Sequence, residues 1–292
     1  MIALFDRCSN WGRWGPDDEL GTLNLITTGK RLEALAGVRS GRCTSIGRDL
    51  VTRGSRRSPP SAVHLMTYDG HEPTGANDAL LLVPHGFEVT HMDALAHAYF
   101  AGSVYNGRAV AAAVPRDGIA FGSIHAARDG IVTRGVLLDV PAHRGRPFVA
   151  QEQPVHGWEL AEIVEARGLT LEPGDAVCVY SGREAWQAAH PDRVYGPDPR
   201  PGLHVSCLPF LRDHDLAVLV WDMMDLAPNG YELPWAVHGS IFAYGVALLD
   251  NALLEPLTRA CAEEQRWEFM LTIAPLPVVG GTGSPANPLA LF

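Results

Sequence analysis

Three short apolar runs constrain this chain most: Val132–Val140 (VTRGVLLDV), Ala176–Tyr180 (AVCVY) and Leu216–Trp221 (LAVLVW). Each has a strand's length, and none alternates polar with apolar as a half-exposed strand would. Such runs are covered on both faces, which places them inside an α/β layer structure. Helical periodicity appears elsewhere. Gly157–Arg167 carries Leu160, Ile163 and Val164 in phase. Ile26–Val38 reads as a helix with Thr27 or Thr28 as its N-cap and Leu32, Leu35 and Ala36 on one face, and Leu253–Glu264 aligns Leu257 with Cys261.

The other segments fill in around this frame. Thr44–Val51, Ala62–Tyr68, Leu80–Val89 and Trp267–Ile273 read as strands, and Ile241–Leu249 fits strand or helix equally. Residues 53 to 61 form a Pro/Ser/Arg loop, and the Gly/Pro-rich tail from Gly280 to Pro288 reads as another. With no internal repeat and no linker, residues 1–292 read as a single domain whose first 25 residues form a tryptophan-bearing arm suited to an interface.

Charge and cysteines exclude several functions. A net charge of −10 argues against nucleic-acid binding. The basic cluster of Arg53, Arg56 and Arg57 reads as a solvated loop, or as a mobile loop near a site that meets an anionic substrate. Five scattered cysteines with no C-x-x-C pair fit neither a disulfide framework nor a structural zinc site. No signal-peptide pattern and no apolar run of membrane-spanning length appears, so the expectation is a soluble cytoplasmic protein without a membrane partner.

The chemistry concentrates in Pro84-His-Gly-Phe-Glu-Val-Thr-His-Met-Asp-Ala-Leu-Ala-His97. On a strand, His91 and Asp93 share one face, where an imidazole and a carboxylate can hold a divalent ion. His97 lies four residues on, where the chain is expected to turn into a helix and set it over the ion to move protons. By composition alone H-x-D-x-x-x-H is a weak pattern, equally compatible with three neighbouring polar residues.

The stretch resembles the signature of the cyclase family, which includes bacterial kynurenine formamidase and isatin hydrolase. That signature runs H-x-G-T-H-x-D-x-P-x-H, and Thr90, His91, Asp93 and His97 match it. In the same order follow Arg134-Gly-Val-Leu-Leu-Asp139, Pro173-Gly-Asp175, Ser181-Gly182, Pro201-Gly-Leu203, Asp222 and Gly281-Thr-Gly-Ser-Pro285. The resemblance implies a domain of the swivelling β/β/α kind, α/β with a mixed β-barrel-like core and flanking helices, assembled as a homodimer or homotetramer. It also implies a late histidine and glutamate as metal ligands; here His238 and, twelve residues on, Asp250 stand in those places. The implied metal set is His91, Asp93, His238 and Asp250, holding zinc or manganese, with Asp93 and His97 as the catalytic pair.

One departure stands out. The family's first ligand histidine, four residues before the second, is here Phe87. Strand parity points Phe87 at the site, and extended chain would leave His85 about 20 Å from His91 unless the backbone bulges or turns at Gly86. The expectation is therefore a site for one ion or none. Phe87, Tyr105 and Trp14 are candidate substrate contacts, Trp14 in a neighbouring subunit's site. The implied activity is metal-dependent opening of an amide or lactone in a small cyclic or aromatic substrate. The alternatives are a cyclase or dehydratase of polyketide-like metabolism and a metal-free ligand-binding homologue.

Overall fold

The computed structural model describes residues 1–54, 61–68, 74–196, 199–231 and 233–292. Arg56, Arg57, Pro59 and Pro60 of the basic loop lie outside the described residues. Eleven strands are present among the described residues: β1 (Cys43–Ser45), β2 (Ala62–Thr67), β3 (Asn77–Leu82), β4 (His91–Asp93), β5 (Ile131–Asp139), β6 (Ala176–Tyr180), β7 (Val218–Trp221), β8 (Ala247–Asp250), β9 (Glu268–Ile273), β10 (Gly283–Pro285) and β11 (Leu289–Leu291). Nine form one curled, half-barrel sheet in the order β1-β11-β9-β5-β6-β7-β8-β4-β10, with helices flanking it.

The three apolar runs are β5, β6 and β7, parallel neighbours at the centre of the sheet. Their side chains divide between two cores. Val177, Val179, Leu219 and Trp221 enter one, while Cys178, Tyr180, Val218 and Val220 enter the other. Burial on both faces is why these strands show no alternation. The ambiguous stretch 241–249 is both helix and strand. A helix over Gly239–Tyr244 ends at Gly245, whose φ of +71° suits a residue without Cβ, and β8 follows.

The remaining two strands, β2 and β3, pair only with each other. Val63, Leu65 and Leu81 share one face of this hairpin, and each is more than half exposed. The N-terminal arm packs on its own chain. Phe5 is buried against Phe100, Trp235 and Phe242, and Trp11 Nε1–H donates to the Phe242 carbonyl at 2.8 Å.

Several expectations need correction. The first long helix is Thr28–Ala36, capped by Thr27 as expected, but Leu32 and Leu35 are exposed while Lys30 and Ala34 are buried. An ion pair decides this: Lys30 Nζ lies 2.7 Å from Asp175, a fully buried carboxylate, and turns that face inward. The strand expected over Leu80–Val89 stops at Leu82, and Val83–Thr90 is irregular. The chain after Asp93 is a turn, closed by His97 N–H to the Ala94 carbonyl at 2.9 Å, and not a helix. Within the tail taken for a loop, Gly283–Pro285 is β10, which covers the outer side of β4.

Candidate metal centre

β4 is three residues long, yet it carries two ligand candidates because its neighbours hold it on both sides. Ladder pairing sets His91 opposite Asp250 of β8 and Asp93 opposite Gly283 of β10. Met92 turns to the core, so His91 and Asp93 share the other face, as their spacing predicts. Asp250 thus reaches His91 through pairing between strands far apart in sequence, with 3.8 Å between His91 Nε2 and Asp250 Oδ2.

His238 arrives from the N-terminal end of the 239–244 helix. Its Nε2 is 3.0 Å from Asp250 Oδ2 and 3.8 Å from Asp93 Oδ2. The four candidates His91, Asp93, His238 and Asp250 therefore converge. Asp225, which sequence reasoning missed, fixes the other side of the His238 ring at 2.5 Å from Nδ1. Its second oxygen accepts the Ala236 and Val237 N–H groups. It stands three residues after Asp222, but no spacing links it to His238. Asp222 itself lies away from the cluster, where its oxygens accept the N–H groups of Ser181, Gly182 and Arg183.

His85 is the main correction. The backbone turns at Gly86, whose φ is +122°, and folds the imidazole back onto the cluster. His85 Nδ1 stands 3.1 Å from Asp93 Oδ1, and its ring stacks on His97 with centroids 4.0 Å apart. Distance along an extended chain would have kept it out; a turn brings it in. His97 approaches the same oxygen, with Nε2 at 4.0 Å.

Phe87 and Tyr105 lie elsewhere. With no strand over 83–90, parity places nothing. Phe87 packs edge-on against Tyr195 under the Arg200 guanidinium. Together with His85, Val63, Leu81 and Val83 it lines a cavity of about 360 Å³ at the base of the hairpin. Tyr105 is buried, and its hydroxyl donates to Asp18 at 3.0 Å, so it faces the arm and not the cluster. Trp14 sits beneath the guanidinium of Arg13 on its own chain.

The electrostatics suit a cation. Burial would raise the Asp93 carboxyl, but His97, His85, His91 and His238 around it hold it well below the usual carboxylate range. Burial would lower His238, but Asp225 and Asp250 on its two sides raise it well above an ordinary imidazole. Burial lowers His97, with His85 and His238 adding to the effect, against the pull of Asp93. Both Asp93 oxygens and His85 Nδ1 are buried without a well-aligned hydrogen-bond partner, although His85 Nδ1 approaches Oδ1 to 3.1 Å, a costly condition that a bound cation relieves. Two ligand groups share Asp93, namely His85-His91-Asp93 and Asp93-His238-Asp250, each with its donor atoms within 4.8 Å of one another. His91 Nδ1–H donates to the Val89 carbonyl at 2.8 Å, leaving the Nε2 lone pair facing the carboxylates. The residues present therefore fit a divalent ion held by nitrogen and oxygen.

Comparison with known proteins bears on the fold and the family. The crystal structure of a novel cyclase superposes with a TM-score of 0.84 at 26% identity, covering 99% of each chain. Isatin hydrolase A from Labrenzia aggregata gives 0.62 at 18% identity over 92% of this chain and 98% of that one. A predicted metal-dependent hydrolase from Bacillus stearothermophilus gives 0.52 at 14% over 86% and 98%. At such identities the last two speak for the fold alone. A search of curated proteins gives no match. The family model described as a putative cyclase matches residues 62–228, more than half of the chain, and the chain belongs to the cyclase family.

Proposed function

We propose that this protein is a metal-dependent hydrolase that opens the amide or lactone of a small cyclic or aromatic substrate. One observation carries the reading: Asp93 is a buried carboxylate without a well-aligned hydrogen-bond partner, set among the imidazoles of His85, His91, His97 and His238. His91, Asp93, His238 and Asp250 would hold at least one divalent ion, zinc or manganese, and His85 would join them in place of the histidine missing at Phe87. The chemistry such an ion supplies is a lowered pKa for a water it binds and polarisation of a carbonyl oxygen.

The chain's own residues do the rest. His97, kept neutral by burial, takes up the proton of the attacking water and returns it to the leaving nitrogen or oxygen. The apolar groove beside His85, with Phe87 in its wall, seats the substrate ring. A homodimer or homotetramer is part of the same reading, supported by the exposed apolar face of β2 and β3.

The test combines elemental analysis of the purified protein with a hydrolysis screen over cyclic amides, aryl formamides and lactones. The expected result is at least one zinc or manganese per chain and turnover that a chelator abolishes. Binding of these compounds without turnover, and without bound metal, would replace the hydrolase with a ligand-binding protein. A ring-closed product would replace it with a cyclase.

A further inference from the structure

His85 stands on irregular chain, so something other than a β-ladder must hold it. The carbonyl groups of its loop are taken up by two side chains. Asn251 Nδ2 donates to the Gly86 carbonyl at 2.7 Å and to the Val89 carbonyl at 3.1 Å. Arg183 donates through Nη2 to the Phe87 carbonyl and through Nη1 to Asn251 Oδ1 at 2.8 Å. The Val89 carbonyl is the same one that fixes the His91 ring. Asn251 directly follows Asp250, and its own carbonyl accepts from Thr90 Oγ1 at 2.8 Å and Arg48 Nε at 2.9 Å. One asparagine thus ties together the loop of His85, the anchor of His91 and the strand of Asp250.

Its conformation and setting are costly. Asn251 has a φ of +55°, in the left-handed region that asparagine tolerates better than most residues. Arg183 is a buried cation whose hydrogen bonds here go to neutral oxygens, with the Glu88 carboxylate 3.9 Å away and the Tyr195 ring 4.6 Å from its Cζ. Burial, with Arg48 nearby, brings its pKa down to about 10. A buried guanidinium aimed at one backbone carbonyl and one side-chain amide oxygen is an expensive way to hold a loop unless the loop's position matters.

We propose that Asn251 and Arg183 are positioning residues that set His85 and His91 against Asp250 and thereby determine the affinity of the metal centre. The proposal rests on the metal-site reading above, and its test separates the two.

Two substitutions respect the backbone. Asn251→Gly keeps the left-handed φ and deletes the side chain. Asn251→Asp keeps the shape and pairs with Arg183, which protects the fold, but removes the two N–H donors to the loop. Its added negative charge would favour a cation, so a loss of affinity in Asn251→Asp is the stronger result. Zinc or manganese alone, titrated by calorimetry, should bind each variant about ten- to a hundredfold more weakly than wild type. In wild type, His85→Ala should lower affinity by a similar factor; in Asn251→Asp it should add less than threefold, because the imidazole has already left its place. A residue that only stabilised the fold would show no such coupling. Without metal, the His85 imidazole resonances should move in Asn251→Asp while circular dichroism and Tm hold.

Affinity within threefold of wild type, with the full His85→Ala loss retained in Asn251→Asp, would overturn the proposal. If the wild type binds neither ion, the metal reading falls; the clamp is then decided by the imidazole resonances, supported if they shift and rejected if they stay.

Discussion

His91 and Asp93 reach the candidate metal centre on a strand laddered on both sides, whereas His85 reaches it from irregular chain and His238 from the turn that opens the 239–244 helix, both held by side-chain contacts. The two kinds of support have different strengths. Ladder pairing on both sides fixes the backbone of β4, and only the His91 ring also leans on the clamped loop, through the Val89 carbonyl. His85 depends on Asn251 and Arg183 at its loop and on Thr282, whose Oγ1 lies 2.9 Å from its Nε2, and His238 depends on Asp225. The strand half is therefore a rigid platform, and the loop half is where single substitutions can retune the site.

The platform should be the more damaging half to break. Asp93 belongs to both ligand groups and is fully buried, so Asp93→Asn removes the shared charge without changing shape. Turnover on any active substrate should fall on the order of a thousandfold or more, and tightly bound metal should disappear from elemental analysis. Retained metal with normal turnover would show that the convergence on Asp93 is structural only.

A smaller loss is expected at His97, which stacks on His85 and whose Nε2 reaches only to 4.0 Å from Asp93. As proton relay its replacement by asparagine should lower kcat on the order of a hundredfold. Metal content should stay near wild type, and near-normal kcat would refute the role.

Next comes the loop half. His85→Ala should weaken metal binding about ten- to a hundredfold, as loss of one neutral nitrogen donor. The weaker binding should also show as a smaller thermal stabilisation by added zinc, since a ligand raises stability in proportion to the logarithm of its concentration over Kd. Equal stabilisation of wild type and His85→Ala would place His85 outside the ligand set.

This division also explains what could be read from sequence. The α/β architecture showed in β5, β6 and β7 because burial on both faces leaves a local mark, an unbroken apolar run. His91 and Asp93 showed because strand period is local too. The pairing of Asp250 with His91 was suggested only by family resemblance; no local pattern encodes which strands become neighbours. His85 was kept at a distance because extended chain was carried past Leu82, and the turn at Gly86, φ +122°, is the exception that brings it in. The face of the first long helix was misjudged because a buried ion pair at Lys30 outweighed two leucines. Asn251 carried no signal at all, being one asparagine between a strand-end aspartate and the apolar Ala252-Leu253-Leu254.

The smallest expected effect is the most pointed test of the loop geometry. From sequence, Phe87 stands in the slot of the family's first ligand, and Phe87→His should restore a lost imidazole and tighten metal binding. From structure it should not. The ring of Phe87 lies against Tyr195 at 6.1 Å between centroids and beneath Arg200 at 5.1 Å, on the cavity side, while His85 fills the place beside Asp93. A histidine at 87 would meet the Tyr195 ring and a guanidinium, and a cation held there would be repelled. Zinc affinity of Phe87→His should therefore stay within a factor of two or three of wild type, as expected for a side chain outside the ligand set. Stability should drop by about 1–2 kcal/mol as the edge-on aromatic contact and the cation–π contact are weakened. Urea denaturation and zinc calorimetry on the same preparation measure both. A marked gain in zinc affinity would mean that residues 85–90 run as extended strand after all, with Phe87 and not His85 beside Asp93, and it would undo the separation between ladder-held and clamp-held ligands at its root.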